Sequence, residues 1–111
     1  MPKHASDPLI RARGSQTGRP VMALLDLLGR RWALRVLWEL RNERVPTFRE
    51  LQARCGQISS SVLSERLREL RRADIVEQSA GSGYQLTEEG RRLLIALAPL
   101  DEWARRWGER A

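Results

Sequence analysis

Cysteine is almost missing from this 111-residue chain: Cys55 stands alone, which excludes an internal disulfide and fits a reducing compartment. Histidine is as scarce, with only His4 near the start, and no Cys/His cluster has zinc spacing, so no metal or other cofactor is expected. Nothing pairs a nucleophile with a base, so the chain is read as not an enzyme. Its isolated glycines form no phosphate-binding loop. No run approaches the roughly 18 to 20 apolar residues of a membrane span. Met1-Pro2-Lys3-His4-Ala5-Ser6-Asp7 lacks the apolar centre of a signal peptide, and the expected location is the cytoplasm. Aromatic residues are few, and four tryptophans outnumber the one Phe and the one Tyr.

Positive charge is what the chain has in excess. A net charge of +6 and a pI near 11.1 make a polyanion a reasonable partner. Its distribution says more than its total. Residues 1–19 carry four basic and one acidic side chain, residues 20–42 four and two, and residues 43–72 seven and four. Residues 73–87 hold only Asp74 and Glu77, and residues 88–111 balance at five each. The surplus therefore lies in the first part and the middle. An Arg-rich surface is also a common way of staying soluble, so charge alone does not choose.

Residues 1–19 mix Pro, Gly, Ser and Arg without periodicity and read as a flexible basic arm, with residues 20–111 forming the folded domain. Pro20 suits the first turn of a helix through Val21, Leu24, Leu25 and Leu28, which Gly29 ends. A second helix is expected over 31–42. Its stripe of Trp32, Ala33, Val36, Leu37 and Leu40, widened by Leu34 and Trp38, predicts a helix sandwiched in the core. Thr47-Phe48-Arg49-Glu50 fits a capping box that opens a third helix, with Phe48 and Leu51 facing inward and an end near Cys55. Gly56 suits the left-handed position just beyond. Any of Ser59, Ser60 and Ser61 can cap a fourth helix over about 60–73. A short helix, a tight turn containing Gly and a longer helix make a helix-turn-helix. Two β-compatible runs, 75–78 and 84–87, flank a Gly/Ser turn and read as a hairpin. Thr87 can cap a last helix through Leu93, Leu94, Leu97 and Leu100, bent at Pro99 and ending near Trp103 and Trp107.

The expected fold class is therefore mainly α with a small β-hairpin wing, a winged helix-turn-helix DNA-binding domain. The fourth helix divides by face. Leu63, Leu67 and Leu70 fall on one side, and Ser61, Ser64, Glu65, Arg68 and Arg72 on the other. A helix of this kind fits the major groove of B-DNA with its amino-terminal end near base edges. Short serines permit close approach, and arginine suits guanine or phosphate. Glu65 could accept from a cytosine amino group or repel phosphate. The candidate DNA contacts are Ser59, Ser60, Ser61, Ser64, Glu65, Arg68 and Arg72, with Arg49 on the preceding helix and Ser79 and Ser82 in the hairpin. The Gly81–Gly83 turn is expected to let backbone approach a neighbouring groove, although it has no cation. The plainer alternative stays open: serine runs cap helices, and Arg/Glu faces are solvated.

These stretches resemble the HxlR family of winged-helix regulators, with the broader MarR-like group as second choice. The similar residues are Pro20-Val21 through Leu28-Gly29-Arg30-Arg31-Trp32, then Thr47-Phe48-Arg49-Glu50-Leu51. Ile58-Ser59 through Leu63-Ser64-Glu65-Arg66-Leu67-Arg68-Glu69-Leu70 follows, and Tyr84-Gln85-Leu86-Thr87-Glu88-Glu89-Gly90 completes the match over about residues 19–107. The resemblance implies a cytoplasmic homodimer that regulates transcription, placing the fourth helix and wing on double-stranded DNA and pairing through the first and last helices. The dimer residues expected on that basis are Val21, Leu24, Leu25, Leu97, Leu100, Trp103 and Trp107. Two departures matter. Many relatives have a cysteine just before the Pro-Val pair, whereas Arg19 stands here, which excludes thiol sensing at that position. Gln78 stands where a basic residue is common, which shifts affinity from the wing to the arm and the fourth helix.

Trp103 and Trp107, one turn apart, either cover the chain's own core or pack across a two-fold axis; the enrichment of Trp at interfaces favours the second. Cys55 reads as a small buried residue rather than a redox switch, which would need an exposed, cation-stabilised thiolate. Lys3, Arg11, Arg13 and Arg19 read as a solubility tail or as phosphate contacts. Competing with a dimer on a pseudo-palindromic operator are a winged helix used as a protein-interaction module and a DNA-binding protein without sequence preference. Neither the operator nor any small-molecule effector is legible.

Overall fold

The computed structural model describes residues 19–42 and 44–110, so Lys3, Arg11 and Arg13 of the expected arm lie outside the described residues. Helix α1 (Pro20–Leu28) starts on Pro20, whose missing N–H would have had no helical acceptor there. The leucine-rich sequence gives α1 two apolar sides. Ala23, Leu27 and Leu28 are buried, while Val21 and Leu25 are half exposed and Leu24 lies between.

Helix α2 (Ala33–Glu39) is shorter than the expected 31–42. Trp32 adopts a left-handed backbone (φ 78°), which no helix can run back through, and Leu40 closes the other end. Ala33, Val36, Leu37 and Leu40 are buried, but Leu34 and Trp38 are 49% and 50% exposed. The expectation of a sandwiched helix is corrected on this side. Among the described residues the apolar stripe is wider than the core covers, and an open groove lies between α2 and the last helix.

Helices α3 (Phe48–Arg54) and α4 (Ser60–Arg72) form the helix-turn-helix. Strands β1 (Val76–Gln78) and β2 (Tyr84–Leu86) pair antiparallel with Val76 opposite Leu86 and Gln78 opposite Tyr84. Helix α5 (Glu88–Arg110) follows at once. Thr87 fixes its start: the hydroxyl accepts from the Gly90 N–H at 2.9 Å and donates to the Asp74 carbonyl at 2.6 Å, tying the start of α5 to the end of α4. Helix α5 runs on through Pro99 to Arg110, past the expected end near Trp107. One backbone bond lost at Pro99 does not stop it, and the pairs Arg105–Asp101 and Arg106–Glu102, each four residues apart, support the later turns.

The core lies where α2, α3, α4 and the hairpin converge: Val36, Leu37, Leu51, Leu63 and Leu70 are wholly buried, with Ile58, Leu67, Val76 and Leu86 around them. Mainly helical with one antiparallel hairpin among the described residues, the fold is a winged helix-turn-helix. Among the described residues, no helix is long and apolar enough to cross a membrane, and no three His, Cys, Asp or Glu side chains cluster as a metal site would need.

Candidate nucleic-acid interface

The candidate interface begins with the entry to α3. The Glu50 N–H donates to the Thr47 hydroxyl at 3.2 Å and the Thr47 N–H donates to the Glu50 carboxylate at 2.9 Å, the reciprocal capping box read from the sequence. At the other end Gly56 takes φ 84°, a conformation that favours glycine, and the chain turns into α4. Gln52 closes the turn by donating to the Ile58 carbonyl at 3.3 Å. Two arginines that the sequence did not single out brace this unit against α2. Arg35 donates to the Arg54 carbonyl at 2.7 Å and pairs with Glu39, while Arg54 reaches the Glu39 carbonyl at 3.5 Å. Arg35 thus satisfies one of the carbonyls that α3 leaves open at its end.

Ser59 is the residue that caps α4, accepting from the Val62 N–H at 3.2 Å. The choice among three serines, open in the sequence, falls on the first, and Ser60 and Ser61 sit in the first turn with their side chains exposed. Leu63, Leu67 and Leu70 face the core as expected. Ser64, Glu65, Arg68 and Arg72 are exposed, and Arg49 is exposed in the first turn of α3. The structure therefore brings Ser61, Ser64, Glu65, Arg68 and Arg72 onto one solvent-facing side of a 13-residue helix, with Ser60 exposed at its first position.

The side of α4 near β1 forms an open cleft of about 420 Å³ lined by Arg68, Arg71 and Arg72, with Glu77 and Gln78 opposite. Arg71 was absent from the expected set because the helical wheel places it near the buried edge. Glu77 accepts from Gln85 across the hairpin at 2.7 Å.

The other flank of α4 carries a group missed from sequence. Glu69 is buried and accepts from Arg66 at 2.6 Å, and Arg66 also donates to the Arg31 carbonyl at 2.9 Å. On a helical wheel Arg66 and Glu69 look like an ordinary solvated pair three residues apart. Only the α1–α2 corner lying over them makes them structural.

In the hairpin turn, Ser82 is exposed with φ 88°, and Ser79 is half buried, its N–H donating to the Gly83 carbonyl at 2.7 Å. The expected role of Gly83 in backbone approach to a groove is corrected. Gly83 is buried, and a Cβ there would lie 2.5 Å from the Val45 side chain and 2.7 Å from its carbonyl. Its smallness serves the packing of the hairpin on residues 45–46, where the Tyr84 N–H also donates to the Pro46 carbonyl at 2.8 Å.

Of the expected pairing residues, Val21, Leu25, Leu100, Trp103 and Trp107 are each 50–59% exposed, and Leu24 and Leu97 are partly buried. Cys55 is 2% exposed, and burial, reinforced by the nearby Glu39 carboxylate and opposed by Arg35, raises its thiol pKa from 9.0. That is the environment of a packing residue rather than a reactive thiolate.

Comparison with known proteins agrees with this geometry. A family model described as HxlR-like helix-turn-helix matches residues 27–111. The HTH-type transcriptional regulator YvaP of Bacillus subtilis, itself uncharacterized, is 34% identical over 75% of this chain and 82% of its own length. The crystal structure of quinone-bound YodB from B. subtilis is similar with a TM-score of 0.72 at 31% identity, covering 78% of this chain and 96% of that one. A possible HxlR family transcriptional factor from Thermoplasma volcanium has a TM-score of 0.68 at 28% identity, covering 78% and 82%.

Proposed function

The chain belongs to the HxlR-like helix-turn-helix family of transcriptional regulators, and on that premise we propose that it acts as a homodimer reading a pseudo-palindromic operator in double-stranded DNA. Helix α4 enters the major groove. Ser60, Ser61 and Ser64 approach base edges at its amino-terminal end, and Arg68 and Arg72 engage guanine or phosphate further along. Ser59 holds the cap beneath them, Glu65 discriminates by accepting from a cytosine amino group or repelling phosphate, and Arg49 contacts the backbone from α3. Ser79 and Ser82 bring the uncharged wing beside the neighbouring groove. Two such helices about one turn of DNA apart, roughly 34 Å, would define the half-site spacing. The folded unit is residues 20–111.

The observation that carries this reading is the split of α4, with every leucine buried and Ser61, Ser64, Arg68 and Arg72 on its solvent side. The absence of a cation between Ser79 and Gln85 favours a second reading, in which the same surface docks a protein. Fluorescence anisotropy on short duplexes tiling the DNA upstream of the chain's own gene separates the two, at roughly 0.15 M salt. One duplex bound at least ~10³-fold more tightly than the rest, with the preference lost in Ser61→Ala/Arg68→Ala, supports an operator reader. Equal weak binding everywhere, indifferent to those changes, defeats it, and no binding at all favours protein docking.

A further inference from the structure

Two apolar features that no described residue covers lie one helical turn apart on α5. The first is the open groove of about 410 Å³ between α2 and α5, lined by Leu34, Trp38, Leu94, Leu97 and Leu100, with Asp101 its one charged lining residue. The Arg41 guanidinium lies 4.0 Å over the Trp38 ring, yet the indole stays half exposed. The second is the stack of Trp103 on Trp107, ring centres 5.9 Å apart and planes at 12°, with Arg106 and Arg110 beside it. The two indoles are 53% and 59% exposed, and every residue from 98 to 110 is exposed, a stretch about 20 Å long at 1.5 Å per residue.

We propose that the Trp103–Trp107 stack of one copy seats in the α2–α5 groove of a second copy, and the reverse, across a two-fold axis near Leu97 and Leu100. This rests on the dimer reading above and extends the pairing surface to Leu34 and Trp38 of α2, which no sequence pattern assigned to it. Plug and socket share one helix. When two α5 helices cross antiparallel at Leu97–Leu100, each tip passes over the other copy's groove, and the contact closes at two copies.

Chemistry and area both fit this occupant. The plug offers two flat indoles to a socket that holds a third, an arrangement aromatic pairs favour. The Asp101–Arg105 pair that must yield is 3.6 Å long and about two-thirds exposed, so it contributes little. Three half-exposed indoles per copy present about 600 Å² across a dimer. That is a large share of the about 1,200 Å² a stable interface needs, and Leu34, Leu100, Val21 and Leu25 add to it.

The test is directional disulfide trapping in the full chain. Leu34→Cys and Arg106→Cys are made in separate chains, which are mixed, oxidised and resolved without reductant; Cys55, being buried, does not compete. A cross-linked product that appears in the mixture and not with either variant alone is expected, because trapping needs Cα atoms within about 7 Å. In sedimentation, Trp103→Ala/Trp107→Ala should weaken the dimer by about 100-fold or more. A wild-type dimer that traps through Leu25→Cys self-pairs but not in the mixture overturns the seating while the dimer reading stands. So does a dimer unmoved by the double change, which includes the case of a small molecule filling the groove. A wild-type chain that sediments as a monomer defeats the dimer reading itself.

Discussion

Arg30 meets Glu69 at 3.2 Å, joining the corner between α1 and α2 to the buried flank of α4. With Arg66 on the other carboxylate oxygen, Glu69 holds two guanidiniums, one from its own helix and one from the corner. The group ties one flank of α4 to that corner, in register with the buried Leu63, Leu67 and Leu70 that turn its other side to solvent. Attraction inside a protein barely repays the desolvation of such charges, so its contribution is to orientation more than to stability.

Removing the carboxylate is therefore costly in a way that replacing the whole group is not. Glu69→Ala should lose about 3 kcal/mol in urea unfolding, because two partly buried cations are left facing each other. Glu69→Gln should lose less, since its amide oxygen can still accept from Arg66 at the price of the charge.

Arg68 is exposed on the proposed reading side and should act largely through phosphate. Arg68→Ala should reduce the steepness of log affinity against log salt by about one unit. Titrations of one duplex at four salt concentrations measure this, and an unchanged slope would remove Arg68 from the interface.

Gly83 has no room for a side chain against Val45 and Pro46. Gly83→Ala should destabilise the chain by about 1 to 3 kcal/mol through forced displacement of the 45–46 segment. Gly81, with open space around it, should accept alanine with little change, so the pair of variants compared by thermal unfolding is self-controlled.

Cys55 gives a pH signature. Its thiol pKa is raised above 9.0 in the folded chain, chiefly by burial, so the folded state favours the protonated form. The stability this lends is present below pH 9.0 and is lost as pH rises from there through the folded-state pKa. Unfolding measured from pH 7 to 11 should show wild type declining relative to Cys55→Ala only above that point. A thiol reagent at neutral pH should label Cys55 at the rate of unfolding.

The helix-turn-helix was legible because its signals are local: the Thr47–Glu50 box, Gly56 in the left-handed position, and leucines at helical spacing in α4 all lie within a few residues of what they determine. The exposure of Leu34 and Trp38 was not legible. Periodicity reports that a side is apolar and is silent on whether the chain's own core or another molecule covers it. The Arg30–Glu69–Arg66 group was hidden for the related reason that a charge pair on a helix looks solvated until something is laid over it. Gly83 was read as turn chemistry because the sequence gives no hint that residues 45–46 run beside it.

Helix α2 is only seven residues long, yet it has work on both sides. Val36 and Leu37 press inward on the core that seats α4, and Leu34 and Trp38 form a wall of the outer groove. Whatever fills that groove thus lies one helix diameter, about 10 Å, from the back of the reading helix. Two short turns of helix are all that stand between the groove and the core on which α4 rests.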